Sequence, residues 1–312
     1  MNPEFRPEMA VVNPKMPSAP RQALPPGACD THNHVFGPYD RFPLTSSAAF
    51  PMPLAPASLH RRMLANVGAD RAVLVQPSQY GVDVSALVDA LRESRDQLRG
   101  IGAARADVED SALDAMHSAG VRGLRFVDAF GPDGALRPGA VGSDQMQMLA
   151  PRMKERGWHA QIWAGAADLF PVLAKISTLG IPLVIDHMGM LDPKAGLTDP
   201  KFQQLVDLLR DGLIWVKLSV CRVGRAPNYE DVRPFHDALI AANPNQVLWA
   251  SDWPFIRLDD RAPDVGALLD LLHEWVDDPA LWRQILTDNP AHLFGFTDPT
   301  PVADLDTQGM TI

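Results

Sequence analysis

Short apolar runs alternate with longer amphipathic stretches along most of this chain, and that alternation constrains the fold more than any other feature. The runs fall at 28–34, 72–76, 100–104, 121–126, 159–164, 182–187, 213–219 and 247–252. Each has the length of a strand, and Gly or Pro punctuates the segments between them. In those segments Val84, Leu87, Val88 and Leu91 recur at the spacing of one helix face. So do Phe202, Leu205, Leu208 and Leu209, and later Val265, Leu268, Leu269 and Leu272. Asp199-Pro200 and Asp264 supply helix starts, because a carboxylate accepts from free first-turn amides and proline suits the first helical position. Gly120, Gly157, Gly180 and Gly212 each stand between a helical stretch and a strand, where a left-handed stop is wanted. Strand–helix alternation covers both faces of a parallel sheet. Eight such units are the count of a closed (β/α)8 barrel, an α/β fold of the TIM type. An open doubly wound sheet is the competitor. No GxGxxG or GxxxxGK(S/T) follows the first strand, so nucleotide binding has no support.

The flanks differ from this pattern. Residues 1–27 hold seven prolines and no periodicity, and read as an extended Pro-rich N-terminal arm. The barrel is expected over 28–296 as a single domain, with a tail at 297–312. Lys and Arg number 28 against 38 Asp and Glu, a net charge of −10, without any basic run. This charge balance argues against a nucleic-acid partner and requires any anionic ligand to be captured by locally placed arginines. No stretch reaches membrane-spanning length and the N-terminus leads into no signal-like apolar segment. The expectation is a soluble, cytoplasmic protein with no membrane partner, for which a homo-oligomer is compatible. Cys29 and Cys221 are far apart without CxxC spacing, so two reduced thiols in the core are expected.

Catalytic residues of such a barrel gather at the C-terminal ends of its strands. The first strand ends in Asp30-Thr31-His32-Asn33-His34, and residues at i and i+2 on a strand share a face. Both imidazoles can therefore aim into the barrel mouth. The sixth strand ends at His187 and the eighth at Asp252. An HxH alone is weak evidence, since two histidines often fall at that spacing by chance. Four polar candidates on three strand ends of one counted barrel form a set, although hydrogen-bonded strand caps remain the bland alternative. His60, His117, His236, His273 and His292 fall in helical patterns and are assigned to structure.

These residues also carry a family likeness. Asp30-Thr31-His32-Asn33-His34-Val35-Phe36-Gly37-Pro38 resembles the opening motif of the amidohydrolase superfamily, of the amidohydrolase-2 type. The segments at 73–78 and 122–126, Ile185-Asp186-His187-Met188-Gly189, Ala250-Ser251-Asp252-Trp253-Pro254 and Asn289-Pro290-Ala291-His292 extend it. Within the superfamily these motifs are similar to those of the 2-pyrone-4,6-dicarboxylate lactonase and related sugar-lactone and muconolactone hydrolases. The resemblance implies a lactonase, a hydrolase acting on a carboxylic ester, in which Asp252 is the general base on water and His32, His34 and His187 polarise the carbonyl or position the water. Partial shielding by Trp253 is expected to raise the Asp252 pKa. A lactone isomerase is the chemically adjacent alternative. A mononuclear metal-dependent decarboxylase is another, and a non-catalytic binding barrel a third.

Three imidazoles and a carboxylate also form a reasonable ligand set for one divalent ion, zinc or manganese. The two-metal members use a bridging lysine on a central strand, and strands four and five offer none. Strand seven ends in Lys217-Leu218-Ser219, without the histidine of that larger site. Arg125 in the same mouth disfavours a second cation. The expected site therefore requires no metal, with one ion at His32, His34, His187 and Asp252 as the alternative. Arg125 is the expected carboxylate clamp, against the bland reading of an ion pair with a neighbouring Asp. Arg222, with Arg225, can supply a second contact; Gln76 and Ser78 can bond substrate oxygens; Tyr80 and Trp163 can form an apolar wall. Met190 stands where the pyrone lactonase has a further arginine. The expected substrate is accordingly a small carboxylated lactone with few negative groups.

Overall fold

The computed structural model describes residues 10–45 and 50–297. The expected tail therefore lies outside the described residues apart from Thr297. Eight parallel strands form one sheet: β1 Cys29–Asn33, β2 Arg71–Val75, β3 Leu98–Gly102, β4 Val121–Asp128, β5 His159–Ala164, β6 Leu183–Ile185, β7 Trp215–Leu218 and β8 Val247–Trp249. Each strand is followed by a helix: α1 Ala57–Val67, α2 Ser85–Glu93, α3 Asp110–Ala119, α4 Met146–Glu155, α5 Leu169–Ile176, α6 Pro200–Arg210, α7 Arg233–Ala242 and α8 Val265–Trp275. This is the (β/α)8 barrel that the alternation predicts. Asp199 and Asp264 accept amides of α6 and α8 as expected, and Gly120 closes α3 with φ of 111°, a conformation costly for any side chain. Among the described residues no helix is long and apolar enough to cross a membrane.

The strand ladder runs continuously from β1 to β8, and the barrel closes by a different device. The expected eighth strand stops three residues early, at Trp249. Beyond it the Ser251 amide donates to Asp30 Oδ1 at 3.0 Å and the Asp252 amide to the His32 carbonyl at 2.9 Å. The His34 amide returns a bond to the Trp253 carbonyl at 2.9 Å. The chain at 250–253 thus leaves β7 and turns onto β1, which explains the shortened strand. The seam that closes the barrel therefore carries His32, His34 and Asp252.

Two apolar regions hold the fold. One lies between the strands and the helices. The other fills the barrel floor with Cys29, Val73, Val75, Ile101, Val184, Trp215 and Leu248, plugged from below by Phe294 and Phe296. Arg99 and Arg71 lie over the Phe296 ring, 4.5 and 5.1 Å from its centroid, and donate to the carbonyls of Gly295 and Thr297. Cys29 and Cys221 are buried free thiols. The described part of the arm includes Val11–Val12, which pairs with Met52–Pro53, while Ser18 and Arg21 bond Asp264, Asp270 and Glu274 at α8.

Candidate active site

The mouth is built on short strand ends that expose side chains at sharp turns. His187 has φ of 52° and Asp252 φ of 64°, left-handed backbone that costs energy for residues with a Cβ and is typical of functional positions. Those turns bring the two side chains inward to the histidines of β1. The His32 ring centroid lies 4.9 Å from that of His34 and 4.8 Å from that of His187. Asp252 is the hub. Its Oδ1 stands 3.1 Å from His34 Nε2 and 3.5 Å from His32 Nε2, and its Oδ2 3.8 Å from His187 Nε2. Arg222, in the turn after β7, donates through Nε to the same Oδ2. All four residues expected at the mouth therefore converge.

The charge state of the hub differs from expectation. Burial pushes the Asp252 carboxyl up, but Arg222, His187 and His32 outweigh it and hold the group well below the usual carboxylate range. The expected upward shift is thus reversed, because Arg222 is a direct partner. Trp253 is fully buried, with its ring 5.9 Å from that of His60. Burial lowers His32 well below its ordinary value and His187 to about 4. His34 is fixed by geometry: its Nδ1 lies 2.7 Å from the Val75 carbonyl. A carbonyl only accepts, so Nδ1 carries a proton, and Nε2 facing Asp252 needs a second proton or a cation between the two acceptors.

A second layer lies beneath. Asp186 Oδ1 is 3.2 Å from His32 Nδ1, and its Oδ2 accepts from Arg125 Nε and a terminal guanidinium nitrogen at 3.3 and 3.2 Å and from Gln161 Nε2 at 3.2 Å. Burial alone raises Asp186, yet His32, Arg125 and Lys217 carry it well below the carboxylate range. Arg125 therefore forms the ion pair that was the bland alternative to the substrate clamp. Gln76 gives both amide protons to the carbonyls of Gly81 and Asp83, at 3.1 and 2.8 Å. Tyr80 is core rather than an open wall, its hydroxyl accepting the Gly37 amide at 2.8 Å and its ring stacked on Phe36. Ser78 is half-buried and makes no side-chain hydrogen bond among the described residues. Trp163 is half-buried and shares the inward face of β5 with Gln161. Arg225 is exposed beside Asp231. His60 is structural as expected, its Nε2 3.1 Å from Asn33 Oδ1.

Sequence reasoning missed Asp186, Gln161 and Lys217 as site residues. Lys217 had a visible signal, a lone cation inside the apolar run Trp215-Val216-Lys217-Leu218.

The donor set fits one divalent ion. A ligand atom from each of His32, His187 and Asp252 lies within 4.8 Å of the others, and His32 Nε2 is buried without a hydrogen-bond partner. His34 is not part of that group of three, so the four-residue cage considered from sequence reduces to three ligands. Arg222 occupies one edge of the same carboxylate.

Residues 29–296 match the amidohydrolase family. The chain is 33% identical to a 4-sulfomuconolactone hydrolase of Hydrogenophaga intermedia, over 88% of this chain and 91% of that one. It is 32% identical to a 2-pyrone-4,6-dicarboxylate hydrolase of Comamonas testosteroni, over 89% and 93%. A solved apo structure from Agrobacterium tumefaciens superposes with a TM-score of 0.76 at 23% identity, covering 90% of this chain and all of that one.

Proposed function

The chain belongs to the amidohydrolase family, and from that premise we propose that it hydrolyses the lactone ring of a small carboxylated compound. One observation carries the reading: an ionised Asp252 ringed by His32, His34 and His187, with the Arg222 guanidinium on its outer oxygen. The full-length similarity to two enzymes named as hydrolases of acidic lactones supports it.

Asp252 takes one proton from water as the oxygen attacks the lactone carbonyl carbon. His34, held by its Nδ1–H on the Val75 carbonyl with Nε2 toward Asp252, positions the attacking water beside that carboxylate. The carbon–oxygen ring bond then breaks, and the leaving alkoxide recovers the proton from Asp252. The product is a hydroxy acid, whose new carboxyl ionises and releases one proton at neutral pH. Arg125 and Arg222 each hold an aspartate of the site, and Arg222, the more exposed of the two at 16% against 10%, is the better placed to take a substrate carboxylate as well. His32, His187 and Asp252 are the residues that would hold a divalent ion, which would polarise the carbonyl or acidify water. The proton transfers above are assigned to side chains alone.

Turnover in 18O-labelled water tests the reaction type. Hydrolysis places one labelled oxygen in the new carboxylate. An unlabelled product with a relocated ring would replace hydrolysis with isomerisation.

A further inference from the structure

Lys217 is fully buried in the barrel, directly beneath the site, and the proposed chemistry does not use it. Its Nζ donates to the Thr31 carbonyl at 2.8 Å and to Gln161 Oε1 at 2.7 Å. The same nitrogen lies 3.5 Å from His32 Nδ1 and 3.9 Å from Asp186 Oδ1. Lys217, Gln161 and His32 come from β7, β5 and β1, the odd strands that share layers of side chains in such a barrel. Below them lie the apolar floor and the buried His159 ring, packed edge-on against Phe294, and the Lys217 side chain is closed off from solvent.

A buried ammonium is an expensive way to fill a barrel, and apolar residues of similar volume commonly serve stability as well or better. What Lys217 provides instead is geometry. It ties the backbone of Thr31, one residue before His32, to Gln161 across the barrel. Gln161 in turn donates to Asp186, the carboxylate that faces His32 Nδ1. The ring of His32 is thereby bracketed through its own backbone and through its Nδ1 partner, and its Nε2 is left facing Asp252.

We infer that Lys217 is a positioning residue that, through Thr31, Gln161 and Asp186, holds the His32 ring in place against Asp252. The inference rests on the lactonase reading only for its kinetic test. Lys217→Met removes the tether, and Lys217→Met/Gln161→Leu removes both hydrogen-bonding partners together, which limits the cost of leaving one unpaired. For both variants kcat is expected to fall by about 10- to 100-fold, the usual effect of removing an outer partner of a site histidine, with KM within about twofold. The double variant, which also takes a donor from Asp186, should not regain kcat. In 15N-histidine-labelled protein without substrate, the His32 ring resonances, assigned by their absence from His32→Gln, should shift in both variants. Unchanged His32 resonances in a folded variant would overturn the inference, whether or not any lactone is turned over. Recovery of kcat together with stability in the double variant would do the same, as would loss of the fold in both, since either makes Lys217 a stability residue.

Discussion

Arg222 is the most informative residue to remove, because its charge decides how basic Asp252 is. Its Nε sits on Asp252 Oδ2, its guanidinium also donates to the Ile256 carbonyl at 2.9 Å, and its side chain is only 16% exposed. Two unit charges about 4 Å apart interact by roughly 4 kcal/mol at the effective dielectric that reproduces such pairs. Discounting for the exposed fraction of Arg222, about 3 kcal/mol remains. Arg222→Met should therefore raise the Asp252 pKa back toward the ordinary carboxylate range. The sign follows from linkage. A depressed carboxyl contributes stability above its unfolded value near 3.9, and loses it as pH falls through the folded value. The variant lacks that contribution at neutral pH and should unfold at lower urea concentration. Its kcat/KM should also acquire an acid limb at higher pH than the wild type, since that ratio reports ionisation of the free enzyme. The assay is the variant-to-wild-type ratio of kcat/KM in metal-stripped protein between pH 7 and 4.5. A weakened substrate contact lowers this ratio equally at every pH, whereas a more basic Asp252 lowers it progressively toward acid. A flat ratio would refute the argument that Arg222 holds Asp252 ionised.

Asp252→Asn should reduce turnover by about 10²- to 10⁴-fold, the range for a lost general base, with an unchanged circular dichroism spectrum; near-normal hydrolysis would remove Asp252 from that role. Arg125→Ala leaves Asp186 without its ion-pair partner in a site where Arg125 is only 10% exposed, and should cost about 3 kcal/mol of stability. It should lower turnover of neutral and acidic lactones alike; a selective rise in KM for acidic ones would restore Arg125 as the substrate clamp.

The barrel was legible in the sequence because both of its periodicities are local. Strand runs and helix faces can be counted without knowing what they touch, and strand ends then nominate His32, His34, His187 and Asp252. The pairings were not legible, because they depend on how distant strands register. Arg125 meets Asp186 across 61 residues and Arg222 meets Asp252 across 30. Without those partners Arg125 reads as a free clamp and Asp252 as a carboxylate raised by burial. Gln76 and Tyr80 misled for a different reason. Their polar atoms are taken by the nearby carbonyls of Gly81 and Asp83 and by the Gly37 amide, contacts set by loop conformation. Lys217 stands out in the sequence as a cation in an apolar run, but β7 is buried on both faces, so no alternation marks which of its side chains enter the barrel.

Proton release during ring opening separates lactone hydrolysis by this chain from every other reading. Chelator-treated protein is presented with a panel of carboxylated five- and six-membered lactones at constant pH, and base uptake is followed. One equivalent of acid per ring opened is expected for at least one carboxylated lactone, with most of the activity surviving chelation and a much weaker response to the matching neutral lactone. Activity lost on chelation and restored by zinc or manganese would contradict the assignment of the proton transfers to side chains alone. No acid release from any carboxylated lactone, with or without metal, would contradict the lactonase itself.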